Sequence, residues 1–245
     1  MSRREEGGML VIAVHGSADP AAGATVRRLA DAVAARTGTR PRIGHLDDRA
    51  PTLADAVAGQ PGAVVVPLLL GDGYHRTVDI PAVLAGTGCV LAEGLSGEPD
   101  VALALYDRLR AAERQRGGRA DAVLLAGAGS SRPGGNAGTR TAAAQLAALL
   151  ERDRGTTRVT CAYLTAAEPD VATALAALRA EGHRRVAVAA HLLAPGRFTR
   201  TLAGAGAWAV TAPLADHPRL ARLVLRRYEE TRARHPYAPG AGRAA

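Results

Sequence analysis

The chain of 245 residues has 47% hydrophobic and 22% charged residues, a composition typical of a globular protein that excludes a wholly disordered one. Its 31 basic residues, all of them arginine, exceed its 23 acidic residues and give a formal net charge of +8. This charge suits a polyanionic ligand, because arginine binds carboxylates and phosphates, but a compositional bias toward Ala, Gly, Pro and Arg explains it equally well. There is no basic block, aromatic platform or nucleic-acid-binding motif, so nucleic acid is not expected as a partner.

Membrane insertion and disulfide bonding are not expected from the sequence. The longest apolar runs, such as 63–70, are far shorter than the ~18 residues that a membrane-spanning helix needs. The charged amino-terminal segment lacks the apolar stretch of a signal peptide. Cys89 and Cys161 form neither a disulfide framework nor a metal-thiolate cluster. We therefore expect a cytoplasmic protein.

Short apolar strands alternate with helices along the first half of the chain. Residues 9–14 predict a strand, 21–38 a helix that ends at a glycine, and 42–46 a second strand. A helix that begins with proline follows at 51–59, and 63–70 predict a buried strand. Because the strands are continuously apolar and separated by helices, the pattern indicates a parallel sheet covered on both faces.

The second half of the chain repeats the first. Residues 122–133 (AVLLAGAGSSRP) resemble 10–20 (LVIAVHGSADP), and 162–175 resemble 44–57. We predict an α/β fold of two tandem, similar three-layer α/β/α domains, each with a parallel sheet, and a cleft between them. The predicted boundaries are 8–117 for an amino-terminal domain with the metal site, 118–236 for a degenerate carboxy-terminal domain, and 237–245 for a disordered tail.

Three polar side chains follow three predicted strands of the first half: His15, Asp47 and His75. Ligands of such folds bind beyond the carboxyl ends of the strands, so we expect these side chains to lie close together. Two imidazoles and a carboxylate suit a divalent transition metal. The three are candidate catalytic residues, with His15 and His75 as metal ligands.

The internal repeat supports a functional role for these three residues. The second half keeps scaffold positions such as Gly129 and Pro169, but has Ala128, Thr165 and Phe198 at the positions that match His15, Asp47 and His75. Because the backbone context is retained, the joint loss of three polar groups indicates that only the first half kept the chemistry.

Two loops are candidate anion-binding segments. Residues 127–136 are rich in glycine and serine and precede a helix, where free N–H groups favour negative charge, but they match no nucleotide-binding motif. Residues 194–200 carry two arginines that could meet carboxylates across the cleft. The candidate substrate-binding residues are Ser17, Arg76, Ser130, Arg132, Arg197 and Arg200. Of the other histidines, His45 is expected to face away from Asp47 by strand alternation, and His191 to be a packed residue that lines the cleft.

Taken in order, VIAVHGSADP, PLLLGDGYHRTVDIP, AGSSRPGGN, HLLAPGRFTR and PLADHPRLARLVLRRY resemble the long-form sirohydrochlorin chelatases, the class II cobalt or iron chelatases. The resemblance implies a fused pseudo-dimer that is monomeric and binds its tetrapyrrole between the halves. It assigns the metal-handling histidines to His15 and His75. The family usually has glutamate where this chain has Asp47, in the segment His45-Leu46-Asp47, and Asp48 could share its role.

The resemblance also implies a reaction, the insertion of Fe2+ or Co2+ into sirohydrochlorin without ATP. The divalent metal is then a substrate, and no permanently bound cofactor is expected. Asp47 or a histidine would accept the two pyrrole protons. Two alternatives remain at this stage: a carrier that binds tetrapyrrole or metal without turnover, and a phosphoryl or methyl transferase on a similar scaffold, which the absence of nucleotide and phosphate motifs disfavours.

Overall fold

A computed structural model describes residues 8–236 and places eight strands and eight helices in this range. The predicted disordered tail, 237–245, lies outside the described residues. Within residues 8–236, no helix combines the length and the apolar character that a membrane crossing requires.

The strands form two parallel sheets of the same topology. The strand orders are β2-β1-β3-β4 in the first sheet and β6-β5-β7-β8 in the second. Central strands β1 and β5 are fully buried, and both are continuously apolar. The strands are β1 (Leu10–Val14), β2 (Arg42–His45), β3 (Val64–Pro67), β4 (Val90–Leu91), β5 (Ala122–Gly127), β6 (Arg158–Tyr163), β7 (Val186–His191) and β8 (Ala209–Val210).

Helices connect the strands, as parallel strands require. The first helix begins at Pro20, where Asp19 caps the N–H of Ala21, and ends at Thr37, because the next residue, Gly38, has a positive φ of 72°. The helices are α1 (Pro20–Thr37), α2 (Leu53–Val57), α3 (Ile80–Leu84), α4 (Pro99–Arg116), α5 (Ala137–Arg154), α6 (Val171–Ala180), α7 (Arg197–Ala203) and α8 (Pro218–Arg234), and a π-helical turn, His75–Asp79, precedes α3.

The last helix of each unit packs against the other unit. We call the elements β1 to α4 the first unit and those from β5 to α8 the second unit. Helix α4 packs on α5, β7 and β8, while α8 packs on α1 and β3. Helices α2 and α3 cover the opposite face of the first sheet, and α6 and α7 that of the second. The expected fold of two tandem α/β/α units with parallel sheets is confirmed, and the exchanged helices give the two units one shared core.

A buried carboxylate ties α4 to the second unit. Glu113 is 1% exposed and accepts hydrogen bonds from Arg154 Nη1 at 2.6 Å, Arg110 Nη1 at 3.1 Å and the Ala120 N–H at 2.9 Å. The Arg154 side chain is itself only 6% exposed, so each charge depends on the other for its compensation.

The substitution Glu113→Gln should therefore lower the free energy of unfolding by about 3 kcal/mol, because it leaves the Arg154 guanidinium buried without a counter-charge. Chemical denaturation of the full chain measures this. Glu151→Gln, an exposed position on α5, is the matched control and should change the unfolding free energy by less than about 0.5 kcal/mol. Equal effects of the two substitutions would contradict this account of the α4–α5 contact.

Candidate functional site

Two histidine rings meet at the carboxyl ends of neighbouring strands. His15 directly follows β1, and His75 opens the π-helical turn that follows β3. Because β1 and β3 pair in parallel, with Ala13 opposite Pro67, both loops leave the sheet at the same edge. The ring centres lie 4.6 Å apart at an interplanar angle of 50°.

This spacing is compatible with two adjacent ligands on one metal ion. With a metal–nitrogen distance of about 2.1 Å, each ring centre would lie about 3.2 Å from the ion, and ligands about 90° apart would bring the centres to about 4.5 Å. Within residues 8–236, no group of three or more His, Cys, Asp or Glu side chains is arranged to hold a metal ion. The two imidazoles therefore offer a partial coordination shell rather than a closed site.

Asp47 packs against the backbone of His15 and Gly16. The Asp47 N–H donates to the His15 carbonyl at 3.2 Å. Gly16, the residue after His15, has a φ of +98°, and a Cβ at this position would lie 2.2 Å from Asp47 Oδ1. Glycine is thus required twice, for the positive φ and for the close approach of the carboxylate.

The Asp47 carboxylate is also bound to a neighbouring arginine. Its Oδ2 accepts from Arg49 Nε at 2.9 Å, and its Oδ1 from the Arg49 N–H at 3.3 Å. Asp47 is not among the residues that line the central cavity described below, whereas His15 and His75 are. Asp48 is exposed.

The surroundings of His15 favour its neutral form. Partial burial lowers its pKa below the ordinary value, the neighbouring His75 lowers it further, and the negative charge of Asp47 opposes both effects. Only the neutral imidazole has the lone pair that binds a metal, so a lowered pKa keeps His15 available as a ligand.

A single space of about 710 Å³, which we call the central cavity, is lined by both units. Its walls come from the loops after β1, β3, β5 and β7, the strand ends at which α/β folds bind ligands. Of the predicted substrate-binding residues, Ser17, Ser130, Arg76 and Arg197 line it, and Arg132 and Arg200 do not.

Two of the predicted arginines are already paired with carboxylates. Arg76 forms ion pairs with Asp72 at 3.1 Å and with Glu93 at 2.9 Å. Arg200 bonds to Asp19 at 2.6 Å and so links α7 of the second unit to the start of α1. A ligand carboxylate would have to compete with these partners.

The other two arginines lie over aromatic rings. The Arg197 guanidinium is 5.1 Å from the centre of the Phe198 ring, and that of Arg132 is 5.6 Å from the Tyr74 ring of the first unit. Among the described residues, neither forms an ion pair with a carboxylate. Arg197, which lines the central cavity, is therefore the predicted arginine best placed to meet a ligand carboxylate.

The second unit repeats the backbone of this site without its two imidazoles and its carboxylate. The Thr165 N–H donates to the Ala128 carbonyl at 2.9 Å, just as Asp47 bonds to His15. Gly129 has a φ of +95°, and a Cβ there would lie 1.8 Å from the Thr165 carbonyl oxygen. The structure thus aligns Ala128 with His15 and Thr165 with Asp47, as the sequence repeat predicted.

His45 lines the central cavity, and sequence reasoning missed it. The expectation that it faces away from Asp47 gave no ground for setting it aside, because residues two apart in a strand share a face, and β2 in any case ends at His45. Its Nδ1 lies 2.9 Å from the Pro51 carbonyl oxygen, which can only accept, so Nδ1 carries the proton and Nε2 keeps its lone pair.

His191 lies at the end of β7 and, as expected, is a packed residue that lines the central cavity. It is 4% exposed, and its Nδ1 lies 3.2 Å from Thr139 Oγ1. Burial lowers the pKa of His191 to about 4, so the ring is neutral near pH 7.

Comparisons with known proteins agree with this geometry. The model of the CbiX family matches residues 9–112 and 122–231, nearly the whole chain, in two copies. A curated protein of Methanosarcina acetivorans named sirohydrochlorin cobaltochelatase is 37% identical over 87 residues, which span 33% of this chain and 66%, just under two thirds, of that protein.

Solved structures share the fold over most of the chain. SirB from Bacillus subtilis, determined with Fe3+, has a TM-score of 0.75 at 20% identity and covers 94% of this chain and 98% of its own. A CbiX described as the terminal enzyme of sirohaem biosynthesis in denitrifying bacteria has a TM-score of 0.66 at 18% identity, and the match covers 91% of this chain and 98% of that protein. At such low identity these likenesses show the fold alone.

Burial of His191 makes stability depend on pH. Its pKa is lowered in the folded state, so its contribution to stability is complete above the ordinary value of 6.5 and is lost as the pH falls toward 4. Between pH 7.5 and pH 5 this amounts to about 2 kcal/mol. Urea unfolding of the native chain and of His191→Gln at both pH values tests this. The difference between the two proteins isolates His191, because the carboxylates titrate in both. The variant should lose about 2 kcal/mol less, and an equal loss would contradict the assignment.

Proposed function

This chain belongs to the CbiX family, and we propose that it is a sirohydrochlorin chelatase that inserts a divalent metal ion, Fe2+ or Co2+, into the tetrapyrrole without ATP. The resemblance noted in its motifs is confirmed at the level of the family. The observation that carries the proposal is the pair of imidazole rings of His15 and His75, 4.6 Å apart on the wall of the central cavity. The name of the relative from Methanosarcina acetivorans supports the same chemistry.

The metal ion enters as a substrate and leaves in the product. Neutral His15 and His75 bind it through nitrogen lone pairs and leave further coordination positions open. An open shell lets pyrrole nitrogens replace protein ligands one at a time. A closed four-ligand site would instead retain the ion, as structural zinc sites do.

The central cavity provides the binding site for the macrocycle. Its volume of about 710 Å³ lies within the range of about 300–1,000 Å³ typical of small-molecule sites. Sirohydrochlorin carries several carboxylates, and the Arg197 guanidinium on the cavity wall is a suitable partner for one of them. Ser17 and Ser130 supply hydroxyl groups to the cavity lining, one from each unit.

Insertion requires two pyrrole N–H protons to leave as the dication enters, so the charge of the macrocycle is unchanged. A carboxylate can accept one of them, and we assign one proton to Asp47, which does not line the cavity but bonds to the backbone of His15, which does. By the resemblance, Asp47 stands where the family has glutamate. The ion pair with Arg49 holds this carboxylate in place. His45, with its free Nε2, is a second group on the cavity wall that could accept a proton.

Several further features belong to the proposal. The exchange of α4 and α8 between the units supports a monomer that acts as a fused pseudo-dimer. A cytoplasmic location agrees with the two thiols, Cys89 and Cys161, which are unpaired. The proposal includes no nucleic-acid or membrane partner and no permanently bound cofactor.

Turnover separates the proposed enzyme from a carrier that uses the same cavity. Purified protein with excess sirohydrochlorin and either Fe2+ or Co2+, without ATP and without oxygen, should form many equivalents of metallated product per chain. Absorption spectroscopy follows the change in the macrocycle, with a protein-free reaction as background. One equivalent that stays bound, or no increase over background, would favour the carrier.

His15→Ala and His75→Ala should each lower the rate of insertion by more than about 100-fold, because each removes a metal ligand that the fold does not need. Both side chains are partly solvent-accessible, so thermal unfolding should stay close to that of the unsubstituted protein. His191→Ala should have a smaller effect on the rate, and His235→Ala, at an exposed position after α8, is the matched control. Full activity in both ligand variants would refute the assignment of the site.

A further inference from the structure

A carboxylate that the proposed mechanism does not use is bound to one of the two imidazoles. Asp79 Oδ2 lies 2.6 Å from His75 Nδ1, a short hydrogen bond between partly buried side chains. The two residues open and close the π-helical turn, the one π-helical segment within residues 8–236. Such turns often occur at functional sites.

The hydrogen bond determines which nitrogen of His75 can bind a metal. An ionised carboxylate can only accept, so the proton of neutral His75 lies on Nδ1 and the lone pair on Nε2. Free imidazole side chains in water prefer the opposite tautomer, with the proton on Nε2. Asp79 therefore reverses the intrinsic preference and fixes the angle of the ring as well.

The turn holds the carboxylate in place. The residue after Asp79 is Ile80, which is fully buried and donates its N–H to the His75 carbonyl. This backbone bond runs from residue i+5 to residue i, as in a π-helix, and joins Ile80 to His75. The side-chain bond joins Asp79 to His75 within the same turn. The ring orientation is thus tied to the core of the first unit.

The second unit lacks the imidazole and the carboxylate together. Phe198 corresponds to His75, and four residues later, where Asp79 stands in the first unit, the second unit has Leu202, which is fully buried. In the second unit the regular helix α7 takes the place of the π-helical turn, and residues 197–203 contain no carboxylate. The histidine, the carboxylate and the π-helical turn are thus present together in one unit and missing together from the other, which links Asp79 to the function of the ring.

We propose that Asp79 is a positioning residue, which holds the proton of His75 on Nδ1 and thereby presents Nε2 toward His15 and an incoming divalent cation. It touches neither the metal nor the macrocycle and acts only through His75. The importance of this role for catalysis depends on the proposed function, but the tautomer and the cation affinity can be measured without turnover.

The first test is nitrogen-15 NMR of the metal-free full chain. Long-range proton–nitrogen spectra should show His75 with a protonated Nδ1 and an unprotonated Nε2 in the native protein. In Asp79→Leu, which takes the residue of the second unit, the proton should move to Nε2, and in Asp79→Glu the native pattern should be at least partly restored. An unchanged His75 tautomer in Asp79→Leu would overturn the proposal.

The second test is the affinity for Co2+ in the absence of tetrapyrrole, measured by calorimetry at a pH above the ordinary imidazole pKa. Asp79→Leu and Asp79→Asn should each weaken binding by about 10- to 100-fold. Asp31→Asn removes an exposed carboxylate paired with Arg40 and should leave the affinity unchanged. Unchanged affinity in both Asp79 variants would overturn the proposal.

Asp79→Asn keeps the size of the side chain and so provides the test if Asp79→Leu does not fold. The outcomes also separate this inference from the proposed function. A chelatase whose Asp79 variants keep the native tautomer and affinity would refute the positioning role alone. Altered tautomer and affinity in a protein that never turns over sirohydrochlorin would refute the proposed function and leave the positioning role intact.

Discussion

The candidate site depends on the adjacency of two parallel strands. Because β1 and β3 are hydrogen-bonded neighbours that run in the same direction, the loops after them start side by side, and residues 60 positions apart in the sequence bring their rings to 4.6 Å. Strand β2 lies on the other side of β1, which brings Asp47 to the backbone of His15. Fold and site are therefore linked, since a different strand order would separate the three residues.

The exchange of terminal helices explains how one unit could lose its polar groups without losing its fold. Helix α4 completes the second unit and α8 the first, so each sheet is covered by a helix from the other half of the chain. Both units must then persist for either to be stable. The second unit keeps the glycine turn at Gly129 and the buried strand β5, and it contributes a cavity wall with Arg197 and Phe198 where the first unit has its histidines.

Features that depend on local chemistry or on the repeat could be predicted from the sequence. The buried strands, the strand-end positions of His15 and His75 and the equivalence of Asp47 with Thr165 follow from apolar runs and matched motifs. The partners of polar side chains could not be predicted. Nothing in the sequence spacing shows that Arg76 binds Asp72 and Glu93. Nor does it show that α4 packs on the second sheet, because an apolar pattern indicates that a helix is buried but not which element covers it. His45 was missed because strand alternation was applied wrongly, since residues 45 and 47 are two apart and would share a face.

A chelatase must hold its metal firmly enough to select it and loosely enough to release it, and the charges around the two rings act on this balance in opposite directions. Burial and the proximity of His75 disfavour a proton on His15, which reduces competition for the metal. Asp47 adds negative charge next to His15 and so favours any cation there, a proton or a metal. Asp79 instead engages Nδ1 of His75 directly, so the effect that we propose for it is exerted through the tautomer and orientation of that ring. In the mechanism that we propose, two oriented imidazoles, with no third ligand grouped beside them within residues 8–236, leave positions at which the pyrrole nitrogens complete the coordination. Completion by the substrate would then transfer the ion.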